Sequence, residues 1–123
     1  RGCVFYALVE LEDDIQKQHE RLKGRISAEV RQQQLLVSLK SLRSYDEEIP
    51  VHVITYGRPL PANVAMQLRN LRAEVMHAGG YFDALEHILP GSGPFLEGYP
   101  VLAKFLALSH MAEGPAQQLL YVD

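Results

Sequence analysis

Short apolar runs alternate with longer amphipathic segments along this chain. Residues 3–9 are almost all apolar, rich in β-branched and aromatic side chains, and too few for a typical helix. Such runs are typical of strands that are buried on both faces of a sheet. We therefore predict a first strand over residues 3–9, ended by Glu10.

The next apolar residues recur at helical spacing. Residues 11–25 are highly charged, and a sparse apolar stripe there predicts a short surface helix that stops near Gly24. A stronger helix is predicted after Ser27, which is a suitable N-cap, with Glu29 in the first turn where the helix dipole favours a carboxylate. Its apolar face is expected to carry Leu35, Leu36, Leu39 and Leu42 with Val30 beside them, whereas Arg31, Gln32, Lys40 and Arg43 fall mostly elsewhere.

The remaining pattern continues the alternation of strands and helices. We predict strands over residues 51–56, 73–77 and 118–122, and helices over residues 63–71, 81–89 and 99–111. Gly57 closes the second strand, and Gly79 and Gly80 close the third. Strands that alternate with helices predict an α/β fold with a doubly wound, mostly parallel sheet. No boundary divides the chain, so residues 1–123 are expected to form a single α/β domain.

The amino-acid composition argues against several classes of function. The net charge of −3 provides no basic field, which argues against nucleic-acid binding. The single cysteine, Cys3, cannot form an internal disulfide, which favours a reducing compartment such as the cytoplasm. No apolar run is long enough to form a transmembrane segment.

In open α/β sheets, ligands bind beyond the carboxyl ends of the strands. The candidate positions are therefore residues 10–14, 56–58 and 78–80, together with Asp123. The turn after the first strand has no glycine, which argues against a nicotinamide dehydrogenase, and no phosphate-binding G-x-x-x-x-G-K-[ST] sequence occurs. A phosphorelay receiver is disfavoured because no acceptor aspartate follows a middle strand.

Four stretches are similar to the nucleotide-binding half of glycosyltransferases of the A-type fold, near the glycogenin-like and galactosyltransferase-like retaining families. They are the opening strand at residues 4–9, the leucine-rich helix at residues 35–43, the helical stretch at residues 99–105 with a basic residue, and the strand at residues 119–123. This last strand ends in Leu-Leu-Tyr-Val-Asp and resembles the strand that leads into the family's D-x-D motif.

The resemblance implies a Rossmann-like nucleotide-diphospho-sugar transferase fold, with this chain as the N-terminal half of a larger domain. Asp123 would then be the first carboxylate ligand of Mn²⁺ or Mg²⁺, with the second acidic residue two positions further on. Lys104 would supply a cation near the phosphates of a UDP-sugar or another nucleotide-sugar donor. Ala7, Leu8, Val9 and Glu10 would hold the base and ribose, partly through backbone groups.

The reaction implied by the resemblance moves a hexose from the nucleotide diphosphate to an acceptor hydroxyl. The resemblance assigns no catalytic residue to these 123 residues, so we expect them to be inactive by themselves. Two alternatives stay open. One is a non-catalytic α/β binding module that uses residues 11–25 as a partner surface. The other is a nucleotidyltransferase, although the glycine-rich loop usual after its first strand is missing.

Overall fold

A four-stranded parallel sheet forms the centre of the protein. The computed structural model describes residues 2–10, 27–88, 90, 103–114 and 118–122. The strands lie in the order β3-β2-β1-β4, and every pair of neighbours is parallel. Their bounds are Gly2–Glu10 for β1, Val51–Gly57 for β2, Ala73–His77 for β3 and Gln118–Tyr121 for β4.

Helices connect the strands in the predicted order. Within the described residues they are α1 (Ala28–Tyr45), α2 (Ala62–Asn70), α3 (Tyr81–Ile88) and α4 (Ala103–Ala112). The α/β class and the parallel sheet are therefore confirmed, and the arrangement is compatible with a Rossmann-like fold. The helix predicted over residues 11–25 and the predicted start of the last helix, at residues 99–102, lie outside the described residues.

Both faces of the sheet are covered, because alternate residues of β1 and β2 point to opposite sides. One face packs Phe5, Val9 and Ile54 against Tyr81 of α3 and several residues of α4. The other face packs its alternating residues against α1 and α2, and includes Val4, Tyr6, Leu8, Val53, Leu36, Leu39, Val64 and Leu68. Two apolar cores therefore hold the sheet between two helical layers, as a doubly wound arrangement requires.

The start and the leucine face of α1 match their prediction. The backbone N–H of Val30 donates to Oγ of Ser27 at 3.2 Å, which confirms Ser27 as the N-cap. Leu35, Leu36 and Leu39 are buried, and Leu42 packs at the edge of the same core. Val30, predicted to lie beside these leucines, is 45% exposed and lines a groove together with Leu42, so it lies at the margin of the apolar face.

Two polar residues of α1 are buried, against the prediction that they lie mostly away from the apolar face. They are Gln32 and Arg43, exposed by only 6% and 7%. Buried polar groups are tolerated when they are hydrogen-bonded. The Gln32 amide bonds to Glu10. The Arg43 guanidinium donates to four backbone carbonyls, those of Asp46, Ile49, Leu71 and Arg72. Sequence spacing alone does not reveal the partners Glu10, Leu71 and Arg72, which lie more than 20 positions away.

The pairing register leaves the carboxyl half of β1 extending past the described end of β4. β1 pairs with β2 from Val4 to Glu10, whereas its pairing with β4 runs only from Gly2 to Phe5. One more backbone bond, from the N–H of Val122 to the carbonyl of Phe5, ends that ladder in the described chain.

Candidate functional site

The carboxyl ends of β1, β2 and β3 are tied together by backbone hydrogen bonds. The N–H of Arg58 donates to the carbonyl of Glu10 at 2.8 Å, and the N–H of Gly57 donates to the carbonyl of Gly79 at 2.9 Å. The N–H of Ala78 also donates to the carbonyl of Thr55 at 2.8 Å. These bonds continue the sheet into its loops and fix the backbone at the edge where open α/β sheets bind ligands.

Gly57 is required by a close approach between β1 and β2. Its φ is +89°, in the left-handed region, and a Cβ placed on it would lie 2.0 Å from the carbonyl oxygen of Glu10. No side chain can be accommodated at that distance, so glycine alone permits the strands to end side by side. The absence of a side chain at Gly57 thereby leaves room for the Glu10 carbonyl, which accepts the N–H of Arg58.

A buried carboxylate lies beneath α1 at the end of β1. The Glu10 side chain is 3% exposed, and its Oε1 accepts a hydrogen bond from Nε2 of Gln32 at 3.0 Å. Both groups are removed from water, where a carboxylate needs hydrogen-bond donors to remain stable. The pair therefore fixes both the end of β1 and the first turns of α1 at the same edge of the sheet.

Strand order reverses between β1 and β4. The chain adds β2 and β3 on one side of β1 and β4 on the other, and such a reversal opens a crevice in parallel sheets. Along a strand, the N–H and the C=O of one residue both point toward the same neighbouring strand. Those of the next residue point toward the strand on the other side. Because the carbonyl of Phe5 faces β4, the backbone groups of Ala7 and Val9 face that side as well.

A guanidinium is anchored in this crevice. Nη1 of Arg31, in the first turns of α1, donates to the carbonyl of Val9 at 2.9 Å. The hydrogen bond brings a positive charge to the β4 side of β1, beside the backbone of Ala7. Arg31 was not predicted as a site residue, although its position four residues after the N-cap Ser27 places it at the carboxyl edge.

The structure places the predicted nucleotide-binding residues of β1 inside the strand. Leu8 and Val9 are buried in opposite cores, Ala7 packs at the edge of the core on the α3 and α4 side, and Glu10 lies under α1. The side chains of Leu8 and Val9 are therefore committed to packing. Any contact of these two residues with a ligand would be made by backbone groups.

Lys104 and Asp123 are the other predicted site residues. Lys104 is the second residue of α4, and its Nζ lies 5.5 Å from the ring centre of Phe105. Because α4 leads into a parallel strand, it begins at the carboxyl edge, the edge that also holds Ala7 and Glu10. Asp123 lies outside the described residues, so the structure does not give its distance from Lys104.

A second polar pair lies further along the edge. Oγ1 of Thr55 is 3.1 Å from Nδ1 of His77, on the side of the sheet that faces α1 and α2. Thr55 is only 2% exposed, so its hydroxyl is held in the fold and cannot be reached by a substrate. On the opposite side, burial raises the pKa of Tyr56 to about 12, and its ring meets that of Tyr81 edge-on.

The edge therefore carries backbone groups and an anchored guanidinium, groups suited to a polar, anionic ligand, whereas the Glu10 side chain is buried beneath α1. Within the described residues, no group of three or more His, Cys, Asp or Glu side chains could hold a metal ion. These residues alone do not form the predicted metal site, and we derive no chemical step through a metal.

Comparisons with known proteins add no relative to this picture. No family model, no curated protein and no solved structure matches the chain. Among the helices that the structure describes, none combines the length and the apolar character needed to cross a membrane.

Proposed function

We propose that this chain is the donor-binding half of a metal-dependent glycosyltransferase with a nucleotide-diphospho-sugar transferase fold. The donor is a nucleotide-diphosphate sugar, with a UDP-sugar as the first choice, and a hexose is transferred to an acceptor hydroxyl. The donor would bind at the carboxyl edge, in the crevice between β1 and β4.

The observation that carries this proposal is the order of the parallel strands. In the order β3-β2-β1-β4, the strand order reverses between β1 and β4, and open parallel sheets bind ligands at the carboxyl edge of such a reversal. A nucleotide would lie at that edge, near the backbone of Val9 at the end of β1. Asp123 follows β4 in the sequence, and the proposal assigns its carboxylate to the same edge.

The charges at the edge support binding of a diphosphate. The Arg31 guanidinium is anchored at Val9, and Lys104 begins α4 at the same edge. Arginine suits phosphate because its planar fork can donate two parallel hydrogen bonds. Binding at this place would bring the diphosphate beside these two cations, while the buried Glu10 side chain stays bonded to Gln32.

The proposed function also includes a divalent cation, for which Asp123 would be a ligand. Mn²⁺ and Mg²⁺ prefer carboxylate oxygens, and when bound they neutralise the charge that develops on a diphosphate leaving group. The role of the chain itself would be to hold the nucleotide and to offer one carboxylate at the end of β4.

Isothermal titration of UDP into the intact protein, with and without Mn²⁺, tests this function. We expect binding that depends on Mn²⁺ and that falls by at least about tenfold in an Asp123→Asn variant. Glu113→Gln provides the matched control, because it removes an exposed carboxylate beyond the end of α4.

Three outcomes would count against the proposal. A folded protein that binds no UDP would exclude a UDP-sugar as donor. Equal binding of UDP by the Asp123→Asn variant and the unaltered protein would show that Asp123 is not a ligand of the metal. Loss of binding in the Glu113→Gln control would indicate a general electrostatic effect instead of a metal ligand.

A further inference from the structure

A buried polar pair, Glu10 and Gln32, interrupts the apolar core at the carboxyl edge of the sheet. The two residues are only 3% and 6% exposed, and Nε2 of Gln32 donates to Oε1 of Glu10 at 3.0 Å. Burying a carboxylate costs free energy, and two apolar side chains of the same shape are often as stable as a buried hydrogen-bonded pair. Stability of the fold alone therefore does not explain why polar residues occupy these two positions.

Two separate apolar patterns are broken at this pair. Every second residue of β1 from Val4 to Leu8 packs in the core beneath α1, and Glu10 takes the next place in that series. Gln32 lies four residues before the buried Leu36, on the apolar side of α1. The fold thus brings together two polar residues at positions where the local patterns predict apolar ones. Departures of this kind are expected at functional sites.

The end of β1 is held from two directions at Glu10. Its backbone carbonyl accepts the N–H of Arg58 at 2.8 Å, which ties it to the chain that leaves β2. Its side chain accepts the Gln32 amide, which ties the same residue to α1. Glu10 is therefore the point at which the position of α1 is fixed relative to the sheet.

Arg31, the neighbour of Gln32, depends on that position. Its Nη1 donates to the carbonyl of Val9 at 2.9 Å, so two consecutive residues of α1 hold two consecutive residues of β1. A long arginine side chain has many rotamers, and a hydrogen bond weakens steeply as its distance and angle change. The guanidinium therefore remains at Val9 only while α1 stays in place on β1, and the buried Gln32 bond keeps it there.

We propose that Glu10 and Gln32 are positioning residues for the anion-binding edge. Their hydrogen bond fixes the first turns of α1 on β1, so that the Arg31 guanidinium lies at the end of β1, where it binds the diphosphate of the donor. Neither Glu10 nor Gln32 contacts the ligand. This role rests on the proposed function, which supplies the diphosphate as the ligand of Arg31.

Exchanging the two side chains tests the pair, with inorganic pyrophosphate as the probe. Gln32→Glu places a second carboxylate against Glu10, where like charges repel, and should weaken pyrophosphate binding by about tenfold. Adding Glu10→Gln restores one amide and one carboxylate in exchanged places, and should return the affinity to within about threefold of the unaltered protein. Isothermal titration into the full chain measures each affinity.

Circular dichroism checks that each variant is folded. If Gln32→Glu does not fold, Gln32→Met takes its place, because it removes the amide donor without adding a charge. It should also weaken pyrophosphate binding by several-fold. Unchanged affinity in a folded Gln32→Met protein would overturn the proposal.

A double-mutant cycle separates positioning of Arg31 from general support of the fold. Arg31→Met removes the guanidinium, and titration at high pyrophosphate concentration measures the affinity that remains. In this background Gln32→Glu should change the affinity by less than about twofold, because the group that it displaces is already absent. Equal losses with and without Arg31 would overturn the proposal.

Gln33→Glu is the matched control for the charge. It makes the same chemical change on the same helix, one residue away, at an exposed position outside the pair. We expect it to change the affinity by less than about twofold, because an exposed charge is screened by water and salt. A loss as large as that of Gln32→Glu would indicate a general charge effect and would refute the role of the pair.

Titration of UDP beside pyrophosphate distinguishes this role from the proposed function. The expected pattern with pyrophosphate, in a protein that binds no UDP, would support the positioning pair and refute a UDP-sugar as donor. Binding of UDP that does not depend on Arg31 would overturn the role of the pair and leave donor binding intact. Failure to bind pyrophosphate, or failure of the exchanged pair to restore its binding, would also overturn the role of the pair.

Discussion

At the scale of single residues, Gly57 and Gly79 show how two similar glycines can have different roles. Both adopt a left-handed φ, +89° and +92°. A Cβ on Gly57 would lie against the carbonyl of Glu10, whereas a Cβ on Gly79 would meet nothing within 4 Å. The first glycine is fixed by a contact between two strands, and the second only by its own backbone conformation.

We therefore expect Gly57→Ala to destabilise the protein far more than Gly79→Ala. Alanine at Gly57 must push β2 away from β1, which should cost about 3–5 kcal/mol of unfolding free energy. Alanine at Gly79 only has to adopt the left-handed conformation, which costs about 1–2 kcal/mol. Urea unfolding of both variants measures the difference. Equal losses would contradict the steric explanation.

Sequence analysis is least successful in predicting the burial and the hydrogen-bond partners of single residues. The N-cap Ser27 was predicted because capping depends on neighbours within one helical turn. The burial of Gln32 and Arg43 was missed because their partners, Glu10 and the carbonyls of Leu71 and Arg72, are more than 20 positions away. Arg31 was missed as a site residue for the same reason, since its anchor is the carbonyl of Val9.

At the scale of elements, Arg43 joins parts of the chain that a parallel sheet would otherwise leave separate. Its guanidinium connects the last turn of α1 to the loop before β2, through the carbonyls of Asp46 and Ile49. It also reaches the turn between α2 and β3. One buried side chain therefore holds the amino-terminal ends of β2 and β3 against α1.

Replacing Arg43 should lower stability more than its size suggests. Arg43→Met keeps an apolar stem but leaves four carbonyls without their donor, so we expect a loss of about 2–4 kcal/mol. Arg43→Lys should restore little of it, because one ammonium cannot reproduce the planar fork. Lys40→Met, at an exposed position of the same helix, is the control. Urea unfolding measures the stability of each variant. If Arg43→Lys were as stable as the unaltered protein, the planar shape of the guanidinium would not be what stabilises the fold.

The positions of strands and helices were predicted better than the burial and contacts of single side chains. Their apolar periodicity is local, and each described strand and helix lies close to its predicted position, as β3 at Ala73–His77 shows. What periodicity could not predict is the order of strands, which depends on which side of β1 the last strand joins. That order defines the crevice, so the candidate site became visible only in the assembled sheet.

At the scale of the whole molecule, the core beneath α3 and α4 links stability to alkaline pH. Burial raises the pKa of Tyr56 from its usual value of 10.0 to about 12. The folded state thus holds the phenol proton more tightly than the unfolded state does. The resulting stabilisation is complete below pH 10 and disappears as the pH rises from about 10 to 12.

Tyr56→Phe isolates this effect while keeping the ring beside Tyr81. We expect the unfolding free energy of the unaltered protein to fall more steeply between pH 10 and 12 than that of the variant. Burial also raises the pKa of the Cys3 thiol, but that contribution is common to both proteins and cancels in the comparison. Parallel pH profiles of the two proteins would contradict the assignment to Tyr56.

The pairing of β1 with β4 has a consequence for how the protein acquires its fold. Gly2 lies opposite Gln118, so the two strands in this ladder are separated by almost the entire described sequence. Contacts between such distant residues form slowly, because a long loop must close first. During synthesis at roughly 5–20 residues per second, β1 must wait many seconds for β4. Until then its β4-facing edge is open to wrong pairing, which makes the nascent chain a candidate for chaperone assistance.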